Sequence, residues 1–253
     1  MTNPIIAGAE PWSHEGHGHD GAVVVHGFTS NPASMRGVAE ALAAAGFHIE
    51  MPRLPGHGTV VDDMVPTRWS DWAGEAEAAY QRLAQRASHI IVVGLSMGGA
   101  LTLRLGADHP EIAGLVCINP VTQPQNADVI DMLRGMAEGG TAVLPGIGSD
   151  IADPDAKESA YEGTPIEALV SMLVDGIEPL SHQYADIHIP LLLMSSPQDH
   201  VVDPVQAEFL ADHYGGPLER ITLERSFHVA TQDFDKQLIF DSTVEFATRV
   251  IAR

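Results

Sequence analysis

Cysteine is almost missing from this chain. Cys117 is the one thiol in 253 residues, so no intramolecular disulfide can staple the fold. It lies in the apolar run Leu115-Val-Cys-Ile118 and reads as a small core residue, because a reactive thiol needs an electropositive, open setting. Basic side chains are scarce as well. Thirteen Lys and Arg stand against 34 Asp and Glu, a formal charge of −21, and such a surface repels phosphate backbones and anionic lipid. Nucleic acid is therefore not an expected partner. No apolar run reaches transmembrane length; Ile90 to Leu103 comes nearest, and its glycines and Ser96 interrupt it. The opening Met1-Thr-Asn-Pro4 lacks the basic start and apolar core of a signal peptide. A soluble, cytoplasmic protein is the expectation.

What is present is a rhythm. With 45% hydrophobic residues the chain can bury a large core. Short apolar runs at Ala22–Val25, Phe47–Leu54, His89–Leu95, Ala113–Asn119, Pro190–Met194 and Leu218–Leu223 read as strands. Between them lie helical stretches: Ala33–Ala45, Ser70 (as N-cap, with Asp71 in the first turn) to about Ala87, Met97–Ala107, Pro165–Val174 and Pro204–Tyr214, with a last helix from about Asp233. Continuous apolar strands alternating with helices predict a mostly parallel sheet covered on both faces. From Pro120 to about Thr164 the rhythm fails among Gly, Pro and Asp. The expectation is one α/β domain over 1–253, with an irregular insertion over approximately 120–165 acting as a lid or binding element.

Gly94-Leu-Ser-Met-Gly98 lies where a strand passes into a helix. In a G-x-S-x-G elbow the serine takes a strained backbone conformation that lifts its hydroxyl above the sheet, and the flanking glycines relieve collisions across the turn. Ser96 is therefore the expected nucleophile. The partners of an elbow serine follow it in the order carboxylate, then histidine, on loops after later strands. Leu191–Met194 leads into Ser195-Ser-Pro-Gln-Asp199-His200, and the strand ending at Leu223 leads into Glu224-Arg-Ser-Phe-His228. Asp199 and His228 are the expected carboxylate and base. The amide of Met97 and the amide of Phe28, in Val25-His-Gly-Phe-Thr29, are the expected oxyanion donors; His26 is expected to hold that loop by hydrogen bonds.

Other residues compete for these roles. His200 could act as base only by folding back. Asp203, before Pro204, suits a helix cap better than a triad. His57 precedes the serine and so lies in the wrong topological place, and His213 falls on a helix surface. His14, His17, His19 and Asp20 are metal-ligand types, but their glycine spacing prebuilds no geometry; they are read as a polar loop, with no metal.

Seven segments together resemble the bacterial monoacylglycerol lipases and small carboxylesterases of the α/β-hydrolase family: GAEP (8–11), HGFTSNPASMR (26–36), PRLPGHGT (52–59), GLSMGGALT (94–102), LPGIGSDI (144–151), DHVV (199–202) and FHVATQD (227–233). LPGIGSDI is the most specific to the lipases. The resemblance implies a cofactor-free serine hydrolase of monoacylglycerols and short or medium acyl esters, with the insertion capping an acyl tunnel. It further implies that Ile147 lines the glycerol end and that Glu158 accepts hydrogen bonds from the glycerol. A general carboxylesterase or thioesterase shares the same machinery, and a non-catalytic ligand receptor is the remote alternative. A dehalogenase would carry aspartate at the elbow. A monomer or homodimer acting on a small acyl ester is expected.

Overall fold

A computed structural model describes residues 3–146 and 148–252. Along the chain, β1 (Trp12–His14) and β2 (Asp20–Val25) precede α1 (Arg36–Ala44), and β3 (His48–Met51) precedes the short α2 (Val61–Met64) and the long α3 (Trp69–Ala84). Next come β4 (His89–Leu95), α4 (Met97–Asp108) and β5 (Gly114–Ile118). The insertion holds α5 (Ala127–Glu138) and the strands β6 (Val143–Pro145) and β7 (Gly163–Pro165), and it runs on past residue 165 into α6 (Ile166–Ser171), a π-helical turn (Met172–Ile177) and α7 (Glu178–Ser181). The chain closes with β8 (Leu191–Ser195), α8 (Val205–His213), β9 (Leu218–Thr222) and α9 (Lys236–Ile251).

Seven strands form one sheet in the order β1-β3-β2-β4-β5-β8-β9. All its pairings are parallel except β1 with β3. The central strands are continuous apolar runs because both faces are covered. Val23, Val25, Val92, Leu115 and Cys117 pack with α3, α4 and the insertion, through Trp72, Leu101 and Ile177 among others. Val24, Ile91, Val93, Val116 and Ile118 pack on the opposite face with Met35, Leu42 and Phe246. The period of two along each strand thus divides one apolar run between two cores. Burial pushes the Cys117 thiol well above its ordinary range, as expected of a core residue.

Three local expectations need correction. The insertion is not irregular: Asn126 accepts a hydrogen bond from the Asp128 amide and starts α5, whose Ile130 and Leu133 are buried. That helix was readable from Val129, Ile130, Leu133 and Met136, which recur on one face. His14, read as part of a polar loop, lies in edge strand β1, paired in register with Ile49. The cap of α3 is set by Asp71, not Ser70: the Asp71 carboxylate accepts the Arg68 amide at 2.8 Å, and the helix begins at Trp69.

Candidate active site

Ser96 stands between β4 and α4 at φ 58°, ψ −120°. The residues two positions to either side must be glycine for steric reasons. A Cβ on Gly94 would lie 2.0 Å from the Gly98 carbonyl oxygen, and one on Gly98 would lie 2.2 Å from that of Val25. The second glycine is therefore demanded by close approach to β2, in addition to the turn itself. Gly27 runs beside the serine, and a Cβ there would come 3.2 Å from the Ser96 Cβ. Met97 opens α4, so its amide is one of the N-terminal donors with no intrahelical partner.

The later loops arrive where chain order predicts. Asp199 follows β8 and His228 follows β9, and His228 Nδ1 lies 2.7 Å from Asp199 Oδ2. The other Asp199 oxygen accepts the Val201 and Val202 amides, each at 2.8 Å. Both side chains are buried. A carboxylate held by three donors fixes the Nδ1–H tautomer and leaves Nε2 with its lone pair. Ser96 and His228 line one cavity of about 350 Å³ together with Phe28.

The rivals fall elsewhere. His200 bonds through Nδ1 to Asp150 at 2.8 Å and packs edge-on against Phe227. Asp203 accepts the Val205 amide at the start of α8, a capping role. His213 bonds within α8 to the Phe209 carbonyl. His57 and His26 are fully buried with edge-to-face rings 5.0 Å apart. His26 accepts the Leu54 amide on Nε2, so Nδ1 carries the proton and donates to the Gly27 carbonyl at 2.9 Å, holding the Phe28 loop as expected. Desolvation holds both histidines neutral: His57 is lowered to about 4, and His26 lies well below the ordinary histidine range.

The insertion supplies the rest of the cavity. Val129 and Leu133 from α5, Leu169 from α6 and Met172 and Leu173 from the π-helical turn form apolar walls. At the polar end Ser30 donates to Glu158 Oε1 at 2.5 Å. Burial raises the Glu158 pKa, opposed by the Ser30 bond and the nearby His228, and reinforced by Asp150. Glu158 thus faces the cavity; Ile147, its expected companion, lies outside the described residues. Tyr161 donates its amide to the Thr29 carbonyl at 3.0 Å, and Asn31 donates to Ser159. The insertion is therefore laced to the Phe28 loop.

Asn119, Asp150 and Asp233 were not singled out from the sequence, yet all three hold the His228 loop. The Asp233 carboxylate, fully buried, accepts the amides of Ala152, Asp153, Phe227 and Phe234. Among the described residues, three non-glycine positions have positive φ: Thr29, Ser96 and Asn119. All three flank this site, where backbone strain is commonly held. FHVATQD and LPGIGSDI carried two of the missed carboxylates in plain view, but their partners are amides, which leave no trace in residue types.

A parallel sheet bearing a serine on a strained strand-to-helix turn, with the later loops bringing an imidazole to its cavity and a carboxylate against that imidazole, is the α/β-hydrolase architecture. A family model described as serine aminopeptidase, S33 (Hydrolase_4) matches residues 17–235, and the chain belongs to that family. It is 42% identical over 246 residues to a thermostable monoacylglycerol lipase of Bacillus sp. (strain H-257), covering 96% of each chain. It is 25% identical over 244 residues to a carboxylesterase of Bacillus subtilis (strain 168), covering 95% of this chain and 97% of the relative. Among solved structures it superposes with a TM-score of 0.91 on a metagenome-derived lipolytic enzyme of the LipS and LipT pair, at 38% identity over 97% of this chain and 100% of that one. A monoacylglycerol lipase of Paleococcus ferrophilus, at 16% identity and a TM-score of 0.75 over 95% of this chain and 99% of its own, shares the fold.

Proposed function

We propose that this serine hydrolase cleaves monoacylglycerols to fatty acid and glycerol. The observation that carries the reading is the polarity of the cavity. One acyl chain fits between the apolar walls, each buried methylene contributing about 0.8 kcal/mol, while Glu158 and Ser30 at the other end suit a small polyol. The 42% identity to a monoacylglycerol lipase supports it.

Ser96 Oγ attacks the ester carbonyl as His228 Nε2 takes its proton. Asp199 holds the imidazole tautomer and stabilises the imidazolium. The Phe28 and Met97 amides receive the oxyanion, and loss of one such donor costs roughly a hundred- to a thousandfold. His228 then protonates the glycerol oxygen as the acyl-enzyme forms; water, activated by the same imidazole, releases the fatty acid.

The thioesterase alternative meets an electrostatic obstacle. The cavity is lined by Asp150 and Glu158, with no Lys or Arg among its described lining residues. An anionic leaving group such as a nucleotide-bearing thiol would be repelled, whereas glycerol is neutral. We place the enzyme in the cytoplasm as a monomer or homodimer; its excess of acidic side chains disfavours anionic membranes. Among the described residues no helix is long and apolar enough to cross a membrane.

The test is a panel of monoacyl-, diacyl- and triacylglycerols and an acyl thioester, run with Ser96→Ala beside the wild type. Monoacylglycerol turnover should lead the panel and vanish in the variant, with fluorophosphonate labelling lost as well. Turnover retained by Ser96→Ala would end the assignment of the nucleophile.

A further inference from the structure

The main chain of His228 is gripped from both sides by side chains remote in sequence. Its carbonyl accepts from Asn119 Nδ2 at 2.8 Å, and its amide donates to Asp150 Oδ2 at 3.0 Å. Each gripping residue also holds the loop that carries Asp199. Asn119 Oδ1 accepts the Ser196 amide at 2.8 Å, and its Nδ2 lies 3.0 Å from Ser196 Oγ, which donates to the Phe227 carbonyl. Asp150 Oδ2 accepts the His200 amide at 3.1 Å, and Oδ1 lies 2.8 Å from His200 Nδ1. Asp199 sits between these two attachment points, 196 and 200.

Asn119 leaves β5 with φ 42°, a left-handed turn that aims its amide group between the two loops. Asn tolerates that conformation better than most residues. Asp150 belongs to the insertion, and its own carbonyl accepts the Val229 amide at 3.0 Å. The carboxylate is largely covered, with 11% of the side chain exposed, which shelters its bond to the His228 amide, while its partner His200 reaches it from the solvent side. Both residues therefore bridge the acid and base loops, one from the sheet and one from the insertion.

We propose that Asn119 and Asp150 are positioning residues that together set the distance and angle between Asp199 and His228, and that the insertion acts on the reaction through Asp150. The inference rests on the triad proposed above. Neither residue needs to touch the substrate for this role. A bridge of this kind matters because a misplacement of about 1 Å at a catalytic group can cost roughly a hundredfold in rate.

The experiment is a mutant cycle. Asp150→Ala, Asp150→Asn and Asn119→Ala are made in the wild type and in Asp199→Ala, measuring kcat and KM on a short acyl ester and the rate of fluorophosphonate labelling of Ser96. In the wild type, Asp150→Ala and Asn119→Ala should each lower kcat roughly tenfold to a hundredfold, and Asn119→Ala, whose site is off the cavity lining, should leave KM nearly unchanged. Asp150→Asn, which keeps one acceptor oxygen, should recover part of the loss. With Asp199 removed, the same substitutions should have almost no effect on labelling, because coupled residues are non-additive.

Equal fold-losses in both backgrounds would overturn the proposal and reduce the two residues to general supports of the fold. So would an unchanged kcat. If Asp150→Ala does not fold, Asp150→Asn decides by the same cycle. These outcomes are separate from failure of the triad itself, which Ser96→Ala and Asp199→Ala, each made alone, report independently.

Discussion

The elbow and the His228 loop reach similar precision by opposite means. Ser96 is placed by its own neighbourhood: a strand before it, a helix after it, and two glycines that let the backbones of Gly94, Gly98 and Val25 come close. His228 follows an exposed-edge strand and has no such local frame. Its loop is hung on Asn119, Asp150, Asp233 and Asp235, through carboxylates and an amide that accept or donate main-chain bonds. A serine placed this way is legible in five residues; a histidine placed this way is legible only by its position in the chain. The difference also separates how each should fail.

The elbow should fail by steric collision. Gly98→Ala places a methyl 2.2 Å from the Val25 carbonyl oxygen and 2.7 Å from that of His26. Overpacking of this sort costs about 1–3 kcal/mol, and because the displaced atoms belong to the Ser96 turn and the Phe28 loop, the proposed mechanism expects kcat to drop by roughly a hundredfold or more. Thermal unfolding and ester turnover on the same sample check both. Wild-type rates in Gly98→Ala would show that the approach of α4 to β2 is not what positions Ser96.

The His228 loop should fail by loss of acceptors. Asp233→Ala strands four amides at once. An unsatisfied buried donor costs about 1–3 kcal/mol; allowing for water entry, the variant should lose roughly 2–4 kcal/mol in denaturant unfolding. Asp233→Asn, with one acceptor oxygen left, should lose less. If the two variants are equally stable, the amide bonds are not what holds the loop.

Between the two regions lies the His26–His57 pair behind the Phe28 loop. His57 is neutral when folded down to about 4, against about 6.5 when unfolded, and His26 is lowered in the same sense. In that window the unfolded chain binds more protons, so stability rises with pH and is lost as pH falls from about 6.5 toward 4. The slope is about 1.4 kcal/mol per pH unit for each histidine. Denaturation of His57→Gln at pH 7 and pH 5 should show a shallower acid loss than the wild type; an identical slope would remove His57 from the account.

The smallest effect belongs to the polar end of the cavity. Glu158→Gln keeps the shape and an acceptor for Ser30 but removes the charge. A hydrogen bond to a charged group is worth about 1.5–3 kcal/mol against about 1 for a neutral one, so KM for a monoacylglycerol should rise several-fold while a methyl ester of the same acid is unaffected. Equal changes on both esters would move Glu158 away from the glycerol.

Much of the architecture was readable because its signals are local. The apolar runs of β2, β4, β5 and β8, the glycine-bounded Ser96 and the chain order of Asp199 and His228 depend on residue type and spacing. Helix α5 was readable too, from Val129, Ile130, Leu133 and Met136, and was obscured by the Gly- and Pro-rich flanks. Strand β1 was not, since a three-residue edge strand carries almost no periodicity. The clamps on His228 were equally hidden. Asn119 and Asp150 join main-chain atoms 109 and 78 residues away, and every residue offers the same amide and carbonyl.

By itself, then, the amino-acid order determined the sheet, the strained serine and the succession of carboxylate and imidazole, because backbone sterics and burial act on neighbours along the chain. Only the tertiary structure decided that Glu158 sits at the polar end of a cavity with apolar walls, that His26 and His57 stay neutral, and that the insertion grips the His228 loop. Those outcomes depend on desolvation and on hydrogen bonds to main-chain groups, and both exist only once distant segments have closed over one another.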